Sequence, residues 1–74
     1  MIVSPGDGTE DPLMFHGGEE CGFMLVGSLR LEIEGEVYFI DEGDSIYFDS
    51  SLPHRFTNDG DTNAVAVWTM THSF

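Results

Sequence analysis

The 74-residue chain has the length of one small domain, and its two arginines, absent lysines and fourteen acidic residues give a net charge of −12. This charge would repel a phosphate backbone and an anionic membrane, so we expect no nucleic-acid binding by this chain alone and no membrane association. No apolar stretch is long enough to span a bilayer, and no basic start precedes an apolar run. The location that we expect is the cytoplasm, and the lone Cys21 agrees weakly with a reducing compartment.

Short strands and turns account for the whole chain, which we interpret as a single domain over residues 1–74. Residues 1–12 predict an initial strand at 2–4 and then a loop rich in glycine, proline and acidic residues. Apolar and charged side chains then alternate over 29–33, which is typical of a strand with one buried face. Further strands are predicted at 23–26, 37–40, 45–48, 53–57 and 64–71, with turns at 35–36, 43–44 and 59–61. Six to eight short strands at this spacing favour an all-β sandwich or jelly-roll barrel.

Three of these strands, at 23–26, 37–40 and 46–48, are apolar on both faces. Such a pattern indicates that both sides of the strand are covered, and a sandwich this small cannot cover both. A domain of this length also buries only about 60% of its unfolded surface, and Cys21 has no disulfide partner. We therefore predict a homodimer in which the outer face of one copy packs against its twin.

Two short clusters carry the chemistry that the sequence offers: His16 with Glu20 four residues later, and Pro53-His54. A glutamate that enters a barrel must be paired, metal-bound or protonated, so Glu20 is expected to face a partner. His54 is either a ligand or a histidine hydrogen-bonded near a barrel mouth, and His16 is either a ligand or a loop residue. Cys21 is expected to be a small strand residue and not a nucleophile.

Strand parity places side chains around these clusters. If His54 points inward, Phe56 and Asn58 point inward with it, because side chains alternate along a strand. Similarly, an inward Glu20 sends the side chains of 22, 24 and 26 to the same face. The predicted cavity is apolar at depth, with Met24 and Phe56, and polar at the end formed by His16, Glu20 and His54. Trp68 is expected to be a core residue first.

The spacing of these clusters resembles the two signature motifs of the cupin superfamily. In the metal-binding cupins, two histidines separated by one residue precede a glutamate, and a third histidine lies in the second motif. His16 matches the second histidine, Glu20 the glutamate and His54 the third, whereas Met14 stands in place of the first. A thioether is a poor ligand for the hard divalent metals of such sites. The resemblance therefore implies no cofactor, or a weakly bound divalent metal (Fe, Mn, Ni or Zn) held by His16, Glu20 and His54.

The resemblance also implies a fold and a function. The expected fold is a small cupin-type double-stranded β-helix, a jelly-roll barrel that is N-terminally short. Several segments, among them 18–20, 43–45, 48–51 and 53–56, look like the C-terminal cupin domain of bacterial transcription regulators that carry a helix-turn-helix domain. No helix-turn-helix is visible here, so the chain is either a fragment or a stand-alone relative.

Three functional hypotheses follow from these observations. The first is a module that binds a small-molecule effector, a compact organic ligand with one polar or anionic group, at His16, Glu20, Met24, His54 and Phe56. The second is a small metal-dependent enzyme, an oxygenase or isomerase, that uses His16, Glu20 and His54 as a two-histidine, one-carboxylate triad. The third is an interaction-only barrel that binds no ligand.

Overall fold

The computed structural model describes residues 1–8 and 17–71, and within these ranges the chain forms seven strands and no helix. The strands are β1 (Ile2–Val3), β2 (Glu19–Val26), β3 (Leu29–Ile33), β4 (Glu36–Ile40), β5 (Ser45–Asp49), β6 (His54–Thr57) and β7 (Ala64–Met70). Consequently, this part of the chain contains no helix that could cross a membrane. The predicted strands are confirmed to within one residue at their ends, except that β2 begins at Glu19, four residues before the predicted start at 23.

The strands pair into two antiparallel sheets. The first sheet has the order β1-β7-β2-β5, and the second has the order β4-β3-β6. Consecutive strands β4 and β5 therefore lie at the open edges of different sheets, and β5 joins the first sheet beside β2. Two sheets connected in this crossed manner form a jelly roll, as the sequence predicted.

The two sheets share one apolar core. Eight hydrophobic side chains are buried in it: Val3, Met24, Leu29, Leu31, Ile40, Phe48, Ala64 and Ala66. Leu29 and Leu31 of β3 alternate with half-buried Arg30 and Glu32, so the period of two that is visible in the sequence turns one face of β3 into the core. Burial of these side chains is the main stabilising contribution to the fold.

Strand β2 shows the predicted alternation along most of its length. Glu20, Gly22 and Met24 are buried, whereas the intervening side chains are exposed. The prediction that Val26 shares their face is wrong, because Val26 is 50% exposed. The register between β2 and β7 shifts between Met24 and Val26, and the extra residue of such a bulge moves the following side chain to the other face.

Some strands are apolar on both faces. In a single chain, their outward-facing apolar side chains remain exposed to solvent. On the outer face of the first sheet, Phe23 pairs in register with Val67, and these side chains are 43% and 52% exposed. Leu25 and Tyr47 lie on the same sheet and are also exposed. At one end of this face Glu19 pairs with Asp49.

Candidate functional site

The site is built around Glu20, which enters the core from the start of β2. Because β2 turns every second side chain inward, Glu20 is only 4% exposed. Its two oxygens have different neighbours. Oε1 accepts a hydrogen bond from the indole N–H of Trp68 at 3.0 Å. Oε2 lies 2.8 Å from Nε2 of His54.

His54 stands at the first position of β6 and reaches Glu20 from the opposite sheet. Its Nδ1 lies 2.7 Å from the carbonyl oxygen of Leu52, which can only accept a hydrogen bond, so Nδ1 carries a proton and donates it. The ring also packs edge-on against Phe48, with the ring centroids 5.0 Å apart. These two contacts fix the ring so that Nε2 faces Glu20.

The short approach of Nε2 to Oε2 is not an aligned hydrogen bond. Oε2 of Glu20 is buried and accepts no aligned hydrogen bond from any residue in the described ranges, although Nε2 is within 2.8 Å. A buried carboxylate oxygen without a donor is costly, and the cost is removed by a ligand that supplies one. With a protonated ring the contact is a buried ion pair between the two sheets, and with a neutral ring Oε2 is left to accept from another donor.

Trp68 lies on β7 opposite Gly22, its partner in register on β2. The indole covers the glycine so closely that a Cβ at position 22 would lie 2.3 Å from Cζ3 of the ring. Phe48 and Phe56 contact the same ring, with centroid separations of 6.3 Å and 5.9 Å. The ring is therefore held on three sides, with its N–H directed at Glu20.

Of the site residues predicted from the sequence, the structure brings Glu20 and His54 together. His16 and Met14 lie outside the described residues. Met24 is 1% exposed and belongs to the core, and Phe56 is half-buried against Trp68, both on the inward faces that parity predicted. The inward position of Asn58 and the outward position of Arg55 also agree with the predicted register.

Trp68 is the residue of the candidate site that the sequence reasoning undervalued. A signal was present, because a glycine within an apolar strand often marks a close approach by another group. Gly22 is such a residue, and it lies two positions after Glu20 on the same face. The register that sets Gly22 against Trp68 is a property of the folded sheet, so the sequence alone did not connect the two.

A divalent metal is implied by the resemblance to metal-binding cupins, and the described part of the chain fits it in part. No group of three or more His, Cys, Asp or Glu side chains that could hold a metal occurs among the described residues. Glu20 and His54 supply two candidate ligands, and Oε2 has no aligned donor within residues 1–8 and 17–71. Two ligands at right angles on one metal, each about 2.1 Å from it, lie roughly 3 Å apart. The separation of 2.8 Å between Oε2 and Nε2 is compatible with that arrangement.

An open cavity of about 760 Å³ lies between the edge strands β4 and β5, and Phe48 forms part of its wall. It is lined by Ile33, Tyr38, Phe39, Ile40, Gly43, Asp44, Ser45, Ile46, Tyr47, Phe48 and Leu52. This volume is within the range of small-molecule sites. Because Phe48 also packs on His54, its ring contacts both the cavity and the Glu20 site.

Two tyrosines at this cavity interact with acidic neighbours. The hydroxyl of Tyr38 donates to Glu36 at 2.8 Å, and this bond raises the pKa of Tyr38. A hydrogen bond to Glu19 similarly raises the pKa of Tyr47. Both hydroxyls therefore remain protonated at neutral pH and act as donors.

On the outer surface beside His54, Arg55 forms a two-pronged contact with Glu32 across β3 and β6. Nε and Nη2 of Arg55 donate to the two oxygens of Glu32 at 3.0 and 3.1 Å. The hydrogen bond from Arg55 is the largest cause that lowers the pKa of Glu32, against a smaller opposing effect of burial. This pair ties the strand that carries His54 to the centre of the second sheet.

Comparison with known proteins identifies the family. The Cupin_2 family, described as the cupin domain, matches residues 1–70. The chain is 37% identical over 54 residues to the HTH-type transcriptional regulator PuuR of Escherichia coli (strain K12), covering 73% of this chain and 29% of that protein. The chain therefore spans less than a third of the length of this relative, and over most of its own length it is related to transcription regulators.

Solved structures agree on the fold. The Cupin_2 domain of an XRE family transcriptional regulator from Enterobacter cloacae superposes with a TM-score of 0.80 at 22% identity, over 97% of this chain and 75% of that one. A predicted oxalate decarboxylase from Thermotoga maritima superposes with a TM-score of 0.85 at 23% identity, over 99% of this chain and 63% of that one. At these identities the likeness establishes the jelly-roll fold alone.

Proposed function

We propose that this chain, which belongs to the cupin family, is a small-molecule-sensing domain of a bacterial transcription regulator or of a close relative of one. The support comes from the relation to PuuR and from the buried Glu20 oxygen beside His54. DNA recognition then belongs to another segment or partner, because a chain with a net charge of −12 repels DNA.

The chemistry of the site narrows the class of effector. Oε1 of Glu20 accepts a hydrogen bond from Trp68, and Oε2 is a buried acceptor to which no described residue donates an aligned hydrogen bond. A hydroxyl, an amide N–H, an ammonium group or a metal ion satisfies such an oxygen, whereas an anionic group is repelled by it. The effector that we propose therefore places a hydrogen-bond donor or a cationic group between Glu20 and His54.

A divalent metal, when bound, would be held by Glu20 and His54 together with His16, the third ligand that the resemblance implies. It would act as a Lewis acid for a polar group of the effector. Glu20 and His54 would orient that effector, and Phe48 with Trp68 would exclude water. Met14 in place of a family histidine keeps this binding weak.

We also propose that the domain is a homodimer joined through the outer face of the first sheet. The exposed side chains Ile2, Phe23, Leu25, Tyr47 and Val67 are all uncharged, on a chain that carries fourteen acidic residues. Two copies with the same large negative charge repel each other, and this repulsion is smallest across the apolar part of the face, away from Glu19 and Asp49 at its end. A second copy is therefore the occupant that fits the exposed apolar surface.

The test of the sensing function is a thermal-shift screen with small polar metabolites on the chain after metal removal. We expect a compact ligand with a donor or cationic group to raise the melting temperature. This rise should be lost in Glu20→Gln and His54→Ala and kept in Glu42→Gln, a surface control outside the site. Turnover of a hit compound by a metal-loaded chain would instead support the enzyme hypothesis, and the absence of any stabilising compound would contradict both.

A further inference from the structure

Among the described residues, Trp68 donates the hydrogen bond that makes the two oxygens of Glu20 different. The indole N–H can only donate, and its acceptor at 3.0 Å is Oε1. His54 approaches the other oxygen without an aligned hydrogen bond. The position of the Glu20 side chain is therefore controlled from the side of Trp68.

The indole itself has little freedom. Gly22 leaves room for the ring directly on β2, and any larger side chain there would overlap Cζ3. Phe48 meets the ring edge-on at an interplanar angle of 62°, and Phe56 meets it at 41°. A ring fixed by backbone on one side and by aromatic rings on two others offers a donor in one position, which is how a supporting residue orients a ligand-binding group.

We infer that Trp68 is a positioning residue that holds Oε1 of Glu20, so that Oε2 is the single oxygen presented to a ligand beside His54. Gly22 contributes to the same positioning, because the absence of a side chain at this position lets the indole reach Glu20. The inference concerns the site of the proposed function, but it is a statement about the unliganded chain. It therefore stands or falls independently of whether an effector or a metal binds.

The experiment uses nuclear magnetic resonance on the full chain without ligand or metal. Because the chain has one tryptophan, the indole N–H gives one resonance in a proton–nitrogen spectrum. We expect this proton to lie downfield of its position in the urea-unfolded chain and to exchange slowly with deuterium oxide. Glu20→Ala should move it toward the unfolded position and speed its exchange.

The positioning itself is measured on Glu20. Three-bond carbon couplings should report a single side-chain rotamer of Glu20 in the unmodified chain. Trp68→Phe keeps an aromatic ring and deletes the donor, so we expect averaged couplings from two or more rotamers. The matched control is Phe56→Leu, which weakens packing on the indole but retains the donor, and in which the single rotamer should persist.

A second variant keeps the test decisive if Trp68→Phe does not fold. In His54→Ala the indole resonance and the single Glu20 rotamer should both be unchanged, because Trp68 still holds Oε1. The inference is overturned if Glu20 averages in His54→Ala while the indole proton stays downfield, since His54 would then be the group that orients it. It is overturned equally if a folded Trp68→Phe chain retains the single rotamer.

Discussion

Oε2 of Glu20 and Nε2 of His54 are 2.8 Å apart but share no aligned hydrogen bond, although the two residues come from opposite sheets. Nδ1 of His54 donates to the carbonyl of Leu52, so in the neutral ring Nε2 presents a lone pair. With the neutral ring, two electron-rich atoms held this close in a buried place favour a donor or a cation between them, whereas a protonated ring makes the contact an ion pair. The contact depends on the fold, because the pairing of β6 with β3 sets the position of His54.

The contributions of His54 and Phe56 should separate binding from stability. His54→Ala is expected to abolish thermal stabilisation by a bound effector and to change the unliganded melting temperature little. Phe56→Ala removes a half-buried ring that packs on Trp68, and we expect a loss of about 3 kcal/mol of unfolding free energy, the lower end for a truncated aromatic. Urea denaturation with and without effector measures both. If His54→Ala unfolds the chain and Phe56→Ala has no effect, the site is not where we place it.

Metal binding should be limited by Met14. We expect the unmodified chain to retain far less than one divalent ion per chain after dialysis against iron, nickel, manganese or zinc. Met14→His rebuilds the family's ligand set with His16, Glu20 and His54, and should raise the retained metal. Elemental analysis gives the ratio, and Met14→Leu is the matched control. Near-stoichiometric metal in the unmodified chain would favour the metal-dependent enzyme.

The fold was predictable from local pattern, whereas part of the site was not. The alternation of apolar and charged residues over β3, together with turns at glycine and aspartate, predicts short strands. The alternation of side chains along each strand then predicts that Glu20, His54 and Asn58 point inward. Two facts depend on how strands pair. The bulge that exposes Val26 arises between β2 and β7, and the position of Trp68 over Gly22 arises from their register. Neither pairing is encoded in a local window of sequence.

Asn58 lies in a loop, but we expect its side chain to contribute strongly to the free energy of unfolding. Its side chain is 1% exposed and satisfies three backbone groups, the carbonyls of Val3 and Thr62 and the N–H of Gly60, each at 2.9 Å. Asn58→Ala leaves these groups without partners, at about 1 kcal/mol or more each, so we expect a loss of at least 3 kcal/mol. Chemical denaturation measures it, with Asn63→Ala as the control. A loss below about 1 kcal/mol would show that water replaces the side chain.

The pair formed by Arg55 and Glu32 should appear in the pH dependence of stability. The pKa of Glu32 is held below its ordinary value of 4.5, so folding favours the ionised carboxylate. Its contribution is present above the unfolded pKa and is lost as the pH falls through the lower folded value. The difference in unfolding free energy between the unmodified chain and Glu32→Gln should therefore shrink as the pH falls from about 6 toward 3. A difference independent of pH would exclude the ion pair, and 1 M salt should weaken it.

The proposed dimer gives the last prediction, and the chain provides its own probe. Cys21 is the single cysteine, and it lies exposed on the first sheet between Tyr47 and Thr69, its partners in register. At micromolar concentration we expect light scattering to give twice the chain mass and Cys21 to react slowly with a maleimide. Phe23→Glu introduces a charge on this face and should give a monomer in which Cys21 reacts fast.

The control for this prediction is Val37→Glu, which adds the same charge to an exposed position on the edge strand β4 of the other sheet. It should remain a dimer with a protected Cys21. If the unmodified chain is a folded monomer with a rapidly reacting cysteine, the outer face of the first sheet is tolerated in water and the proposed interface is wrong. If Val37→Glu dissociates the dimer and Phe23→Glu does not, the two copies meet through the second sheet instead.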